Sequence, residues 1–367
     1  MREPMCAKTP ELEIFLMTTS RMQEMTALGA DWWNDSCDLR ELRDAVAKGA
    51  VGATSNPVIV STVVSEDREH WIPVLDREIA DHPEDTEDEI AWRLIAQVGR
   101  EAAAILQPVF ERTGGAKGFL SMQVSSKFYP NTQSMLQQGL YLAALAPNVA
   151  IKAPAVAPGI AAMEELTAHG IRVNATVSFS VAQAVACAEA IERGLKRVAD
   201  PDKRKSLRPY VTIMIGRVDD LLKRVQQRDK IAIEPAYLDW AGIAVFRRAA
   251  RLFRERGYRA TLLCAAYRNE GHWAEIIGED VLQSIPFKWW KQFDASAREV
   301  RPTITDPLDE RTLAELASKF PEFRAAYEEN GLRPADFVRY GASVHTLNQF
   351  LGGYQQLLEI VRGRMLR

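Results

Sequence analysis

The sequence has no long hydrophobic run. No segment reaches the roughly 18 to 20 consecutive apolar residues that a membrane-spanning helix needs, so no transmembrane helix and no membrane partner are expected. The first ten residues, Met1–Pro10, are charged and lack the apolar centre of a secretory signal. Cysteine is scarce. Cys6, Cys37, Cys187 and Cys264 are scattered and fall in no metal-ligand spacing. Isolated thiols suit a reducing compartment, and a cytoplasmic protein is expected. His70, His82, His169, His272 and His345 do not gather into a ligand pattern, so no metal site is expected. An excess of one charge is also lacking: 46 basic and 49 acidic residues leave a net charge of −3. Without a basic tract there is no footprint for nucleic acid. The densest acidic stretch, Asp81–Glu89, reads as a solvated loop and helix start. Low-complexity linkers and short repeats are absent as well. The chain of 367 residues is therefore expected to form a single domain over 1–367.

What is present is an alternation of strands and helices, repeated eight times. Strands are predicted at Asp31–Asp35, Val51–Ser55, Phe119–Val124, Val149–Ala153, Ile171–Val177, Tyr210–Ile215, Thr261–Ala265 and Val281–Ile285. Helices are predicted between them at Arg40–Lys48, Ile59–Thr113 with a break near His82-Pro83, Thr132–Ala146, Pro158–His169, Val181–Arg197, Asp219–Val225, Pro235–Arg256 and Trp273–Ile277. Leu308–Lys319 and Ala335–Met365, broken near Gly341, read as further helix. Such alternation requires a parallel sheet with right-handed crossovers. An open doubly wound sheet ordinarily carries a glycine-rich loop after its first strand. Asp35-Ser36-Cys37-Asp38 stands there instead and contains no glycine. The expected fold is therefore a (β/α)8 TIM barrel, α/β in class. Its strands span about 31–286, helices are added at both termini, and a helical extension covers about 300–367. Phe287, Trp289 and Trp290 are expected to pack at the barrel bottom or on a helix rather than to stack on a ligand.

In such a barrel the active site forms at the C-terminal ends of the strands. The fourth strand, Val149-Ala-Ile-Lys-Ala-Pro154, sets one lysine among apolar residues. Desolvation disfavours the ammonium form, and an uncharged amine attacks carbonyl carbon to form a Schiff base. A lysine snorkelling to water is the structural alternative. Six other strands also end in polar groups: Asp35, Asn56, Gln123, the pair Asn174 and Thr176, Arg217, and Arg268-Asn269. Asp35 is the carboxylate among them and the general acid/base candidate. Asp38 is the better cap for the helix that follows. Gln123 and Thr176 are candidates to shuttle protons through water, and Asn56 and Asn174 to bind substrate hydroxyls. Arg217 and Arg268 suit bidentate phosphate binding.

Four motifs resemble those of the transaldolase family, which are class I Schiff-base enzymes on a (β/α)8 barrel. They are Gly52-Ala-Thr-Ser-Asn-Pro57, Val149-Ala-Ile-Lys-Ala-Pro154 followed by Gly159, Val173-Asn-Ala-Thr-Val-Ser-Phe-Ser180, and Ala265-Ala-Tyr-Arg-Asn269. They occur in the family's order between about Asp31 and Pro286. The resemblance implies that Lys152 forms the Schiff base, Asp35 is the acid/base, Thr176 helps to hold the catalytic water, and Arg217 and Arg268 bind phosphate. It further implies transfer of a dihydroxyacetone unit between sugar phosphates, without metal or organic cofactor, and a place in the pentose phosphate pathway. It leaves homo-oligomerisation open.

The chain departs from the family pattern at four positions. Gln123 occupies the usual glutamate position, as in the family's simple aldolases. Ala266 stands where a phosphate-contacting serine is usual, with Thr212 a replacement for the serine expected before Arg217. Met214 stands where an aromatic residue is usual. Two readings therefore accompany the transaldolase: a fructose 6-phosphate type aldolase that releases a free ketone, and a catalytically idle sugar-binding barrel.

Overall fold

The computed structural model describes residues 20–367. Cys6 and the Met1–Pro10 segment lie outside the described residues. Eight parallel strands close into a barrel in sequence order: β1 (Asp31–Asn34), β2 (Gly52–Thr54), β3 (Phe119–Gln123), β4 (Val149–Pro154), β5 (Val173–Thr176), β6 (Tyr210–Met214), β7 (Thr261–Ala265) and β8 (Val281–Ile285). β8 pairs with β1 and closes the ring. The expected (β/α)8 class is thus the observed one. Several strands are shorter than predicted, because ladder bonding stops where the chain turns into its helix.

The barrel is filled by side chains in layers, as an eight-stranded parallel barrel requires. An apolar layer of Trp33, Phe119, Ala150, Tyr210, Leu263, Ala265 and Leu282 occupies its middle. Trp33 meets Tyr210 edge-on, with ring centroids 4.7 Å apart. The N-terminal end is closed by Arg172, whose guanidinium lies 3.9 Å from the Phe119 ring centroid and donates to Ala116 O and Tyr210 Oη. The aromatic residues after β8 do not serve at that end. Helix Phe287–Asp294 leaves the C-terminal face of the barrel, where Trp290 packs on Trp32 and donates to Asn34 Oδ1 at 3.1 Å.

The long helical region divides into Pro57–Glu66, Arg68–Asp81 and Glu87–Arg112. The expected break at His82-Pro83 is present, and a second falls at Asp67. Thr86 and Glu89 form a reciprocal capping box at the start of the third helix, within the acidic stretch. After β6 the chain enters helix Ile215–Asp229 with no intervening loop. Arg217 therefore sits in a first helical turn rather than in a loop. Two helices, Pro201–Ser206 and Pro321–Tyr327, are not evident from periodicity: each is one or two turns long and begins at a proline in its first turn.

The last helix, Gly341–Met365, follows a 3₁₀ segment at Pro334–Arg339. A Cβ at Gly341 would lie 2.9 Å from Leu221 Cδ1, beside the helix after β6. A Cβ at Gly353 would lie 2.8 Å from Val58 Cα, in the helix after β2. β2 and β6 stand on opposite sides of the ring, so the final helix straps across the mouth of the barrel. Tyr354 anchors it further by donating to Asp88 Oδ1 at 2.8 Å.

Candidate active site

Lys152 on β4 lies in register between Gln123 on β3 and Asn174 on β5. The residue is only 6% exposed, so its amine does not snorkel to water. Nζ donates to Thr54 Oγ1 at 2.8 Å and to Ser55 O at 3.4 Å. The apolar layer of the barrel forms the floor beneath it. Burial pulls the Lys152 pKa down from 10.5 to about 8, against the opposing pull of Asp35 and the Cys37 thiol. Roughly one amine in ten is then uncharged at pH 7, against less than one in a thousand for a free lysine.

Asp35 lies one residue beyond β1, where its N–H donates to Ile285 O at 3.0 Å. Part of its surface reaches solvent, but protein atoms surround the carboxyl group. Burial pushes its pKa up. Lys152, a hydrogen bond from Ser284 Oγ and Arg217 pull it back. The amine and the carboxyl are thus both driven toward their neutral forms, as suits two groups that exchange protons with a substrate. Asp38, not Asp35, caps the next helix: its Oδ1 accepts from the N–H groups of Arg40 and Glu41, each at 2.9 Å.

Lys152, Asp35, Asn174 and Thr212 line one small, tightly packed cavity, together with Thr54, Ser284, Trp33, Leu263 and Ala265. Within it Thr212 Oγ1 donates to Asn174 Oδ1 at 2.7 Å, and Asn174 Nδ2 donates to Ser121 Oγ at 3.0 Å. Thr212 therefore orients Asn174. Gln123 donates from Nε2 to Ser126 Oγ at 3.2 Å, which leaves its Oε1 buried without a partner. Thr176 Oγ1 meets only Met214 Sδ, at 4.0 Å, and so is weakly committed. Asn56 is engaged structurally, since its Oδ1 accepts from Ile59 N at 3.0 Å and caps helix Pro57–Glu66.

Arg217 and Arg268 stand at the rim. Burial, followed by Arg268, depresses the Arg217 pKa, Asp220 opposes this, and Arg224 adds to it. Arg217 Nε is buried without a partner. Arg268 is bound by Asp220, with Nε at 3.1 Å and Nη2 at 2.8 Å from carboxylate oxygens.

Sequence reasoning missed Thr54, Ser121 and Ser284. A signal was available for the first two. Thr54 precedes Asn56 by two residues and Ser121 precedes Gln123 by two, the spacing that puts strand residues on one face. Two residues just past strand ends take left-handed backbone: Val177 at φ 51° and Ala266 at φ 68°. For a β-branched valine this conformation is strained, and such strain persists only where the surroundings impose it. Buried Gln183 does so after β5, donating to Ala155 O and Val177 O while accepting from Phe179 N, each at 3.0 Å. Among the described residues no three His, Cys, Asp or Glu side chains converge as metal ligands. Among the same residues no helix is long and apolar enough to cross a membrane.

The likeness to known proteins agrees with this geometry. The family model described as transaldolase/fructose-6-phosphate aldolase matches residues 32–337. A transaldolase of Neisseria meningitidis serogroup A is 29% identical over 339 residues, covering 85% of this chain and 95% of that protein. A transaldolase of Thiobacillus denitrificans is 27% identical over 377 residues, covering 92% and 98%. The match spans the whole barrel and nearly the full length of these relatives: the chain belongs to the transaldolase/fructose-6-phosphate aldolase family, as an aldolase-type transferase with transaldolase-like function.

Proposed function

We propose that Lys152 is the Schiff-base lysine of an enzyme that moves a dihydroxyacetone unit from a ketose phosphate to an aldose phosphate. The observation that carries this reading is the buried amine of Lys152, held by Thr54 in the same cavity as the Asp35 carboxyl. Uncharged Lys152 adds to the C2 carbonyl of the ketose, and loss of water gives an iminium. Asp35 then takes the proton of the C4 hydroxyl. The C3–C4 bond breaks, its electron pair passes into the iminium to give an enamine, and C4 leaves as the aldehyde carbon of an aldose phosphate. The enamine attacks the aldehyde of an acceptor, and Asp35 returns its proton to the new alkoxide. Water hydrolyses the resulting iminium and frees Lys152. The iminium is the electron sink, so the scheme calls for neither metal nor organic cofactor.

Asn174, oriented by Thr212 and Ser121, is placed to bind a substrate hydroxyl. Thr176 and the unpartnered Gln123 Oε1 are suited to holding water for the dehydration and hydrolysis steps. Arg217 and Arg268 are assigned to the phosphate. A function in sugar-phosphate metabolism of the pentose phosphate type, in the cytoplasm, accompanies this reading. An idle barrel is disfavoured, because burying an amine and a carboxyl costs stability that an inactive scaffold has no reason to retain.

Gln123 motivates a second reading. With glutamine there, as in the family's simple aldolases, Asp35 can instead return its proton to the enamine carbon, and water then hydrolyses the iminium to free dihydroxyacetone. One assay separates the two: fructose 6-phosphate alone, then with erythrose 4-phosphate. Product only with the acceptor establishes transfer. Equal release of aldose phosphate without it establishes the simple aldolase.

Gln123→Glu places a carboxylate in register with Lys152. The expected result is an upward move of about one unit in the midpoint of the kcat/KM pH profile, because a nearby negative charge favours the ammonium form. An unmoved midpoint shows that residue 123 does not face the amine.

A further inference from the structure

Asp219 and His272 form a buried pair outside the reaction scheme just given. Both side chains are fully excluded from solvent, and His272 Nε2 lies 2.7 Å from Asp219 Oδ2. The other ring nitrogen, Nδ1, accepts the backbone N–H of Arg268 at 3.1 Å. Because Nδ1 accepts, it carries no proton, and the ring donates from Nε2 to Asp219. Asp219 Oδ1 accepts from Gly242 N at 2.8 Å, which fixes the carboxylate in turn. Asn269 Oδ1 accepts from His272 N at 3.1 Å and holds the turn that carries the ring.

The next residue, Asp220, grips the other end of Arg268. Its carboxylate takes Nε and Nη2 of the guanidinium, while Tyr267 O takes Nη1 at 2.8 Å. A guanidinium has five N–H donors. These bonds use three, so one N–H on Nη1 and one on Nη2 remain for the oxygens of a phosphate. The helix that supplies Asp219 and Asp220 also carries Arg217. A third link joins it to β7: Gly216 N donates to Ala266 O at 3.1 Å, and a Cβ on Gly216 would lie 2.0 Å from that oxygen. One helix thus sets both guanidiniums relative to each other.

We infer that Asp219–His272 is a positioning relay that sets the Arg268 backbone, and through it the spacing of the Arg217–Arg268 fork, for a sugar phosphate. The inference rests on the sugar-phosphate reading above and adds a determinant of specificity to it. His272 does not touch substrate; it acts through Arg268. Its contribution therefore falls on recognition of the phosphate and not on the lysine chemistry, which takes place inside the barrel.

Two substitutions divide the pair. In His272→Asn the amide oxygen replaces Nδ1, so the Arg268 bond is kept while the reach to Asp219 is lost. In His272→Gln the amide reaches Asp219 but leaves the Arg268 N–H unbonded. The measurements are KM for fructose 6-phosphate and the yield of the adduct that free dihydroxyacetone forms on Lys152, trapped by borohydride, which needs no phosphate site. KM is expected to rise in both variants, about tenfold in His272→Gln and about threefold in His272→Asn, while the adduct yield stays within about twofold of the parent. An unchanged KM in His272→Gln overturns the inference. So does an unchanged KM in His272→Asn, or a fall in adduct yield that accompanies the rise in KM. Failure of both variants to fold assigns the pair to stability alone and overturns it too. Absence of a trapped adduct in the parent enzyme is a different result, which removes the Schiff-base reading itself.

Discussion

Lys152→Met is expected to abolish turnover and adduct trapping while leaving the protein more stable than its parent near neutral pH. The first half follows from chemistry, since methionine has no amine to form an iminium. The second follows from linkage. Burial holds the folded-state pKa at about 8, below the ordinary 10.5 of an unfolded lysine. The folded state therefore binds fewer protons between those values. Below about pH 8 the protein carries the full cost of the buried ammonium, on the order of 3 kcal/mol for a depression of this size. That cost fades as pH rises from about 8 to 10.5. Methionine fills a similar volume without the charge. Some of the gain is offset, because Asp35 loses a cation that favours its ionised form and Thr54 loses a donor. A net gain of about 1 to 3 kcal/mol is expected at pH 7, shrinking toward pH 10. Thermal unfolding at pH 6, 7 and 9 measures it. A variant less stable than the parent at pH 7, or one that still turns over near the parental rate, contradicts the account.

Asp35→Asn is expected to lower kcat by about a thousandfold and to change which intermediate accumulates. The carboxylate opposes the burial of Lys152 by favouring its charged form. Removing it lowers the lysine pKa further, so at pH 7 more of the amine is free to add to the ketone. Carbon–carbon cleavage, in contrast, loses its base. Schiff-base formation is preserved while the next step fails, and the six-carbon adduct builds up. Borohydride followed by mass spectrometry should find the whole fructose 6-phosphate on Lys152, where the parent enzyme yields mostly the three-carbon remnant. The rising limb of the pH dependence of adduct formation should move to lower pH. A three-carbon adduct in Asp35→Asn at the parental level would assign the base to another residue.

The eight strands and their order are written in short-range patterns. Short strand-like segments, most of them rich in apolar residues and separated by helical periodicity, suffice to identify each unit. The isolation of Lys152 in Val149–Pro154 is visible in the same way, as is the capping of the helix after β1 by Asp38 rather than Asp35. Asn56 shows the limit of such reading. Its position at a strand end suggests a ligand for substrate, yet its carbonyl caps a helix that begins one residue later. The cap uses only its amide oxygen, so the structural role comes in addition to the expected one.

Contacts between distant parts of the chain are another matter. Thr54 bonds Lys152 across 98 residues, and Ser284 bonds Asp35 across 249. No local pattern couples those positions; closing β8 onto β1 does. Asp220 meets Arg268, and the last helix crosses the mouth, for the same reason. From the residues in order one learns which groups are chemically competent and which face of each strand they occupy, because both depend on near neighbours. Their pKa values, partners and mutual spacing follow from ring closure and burial, since desolvation and hydrogen bonding are set by everything packed around a group, whatever its distance along the chain.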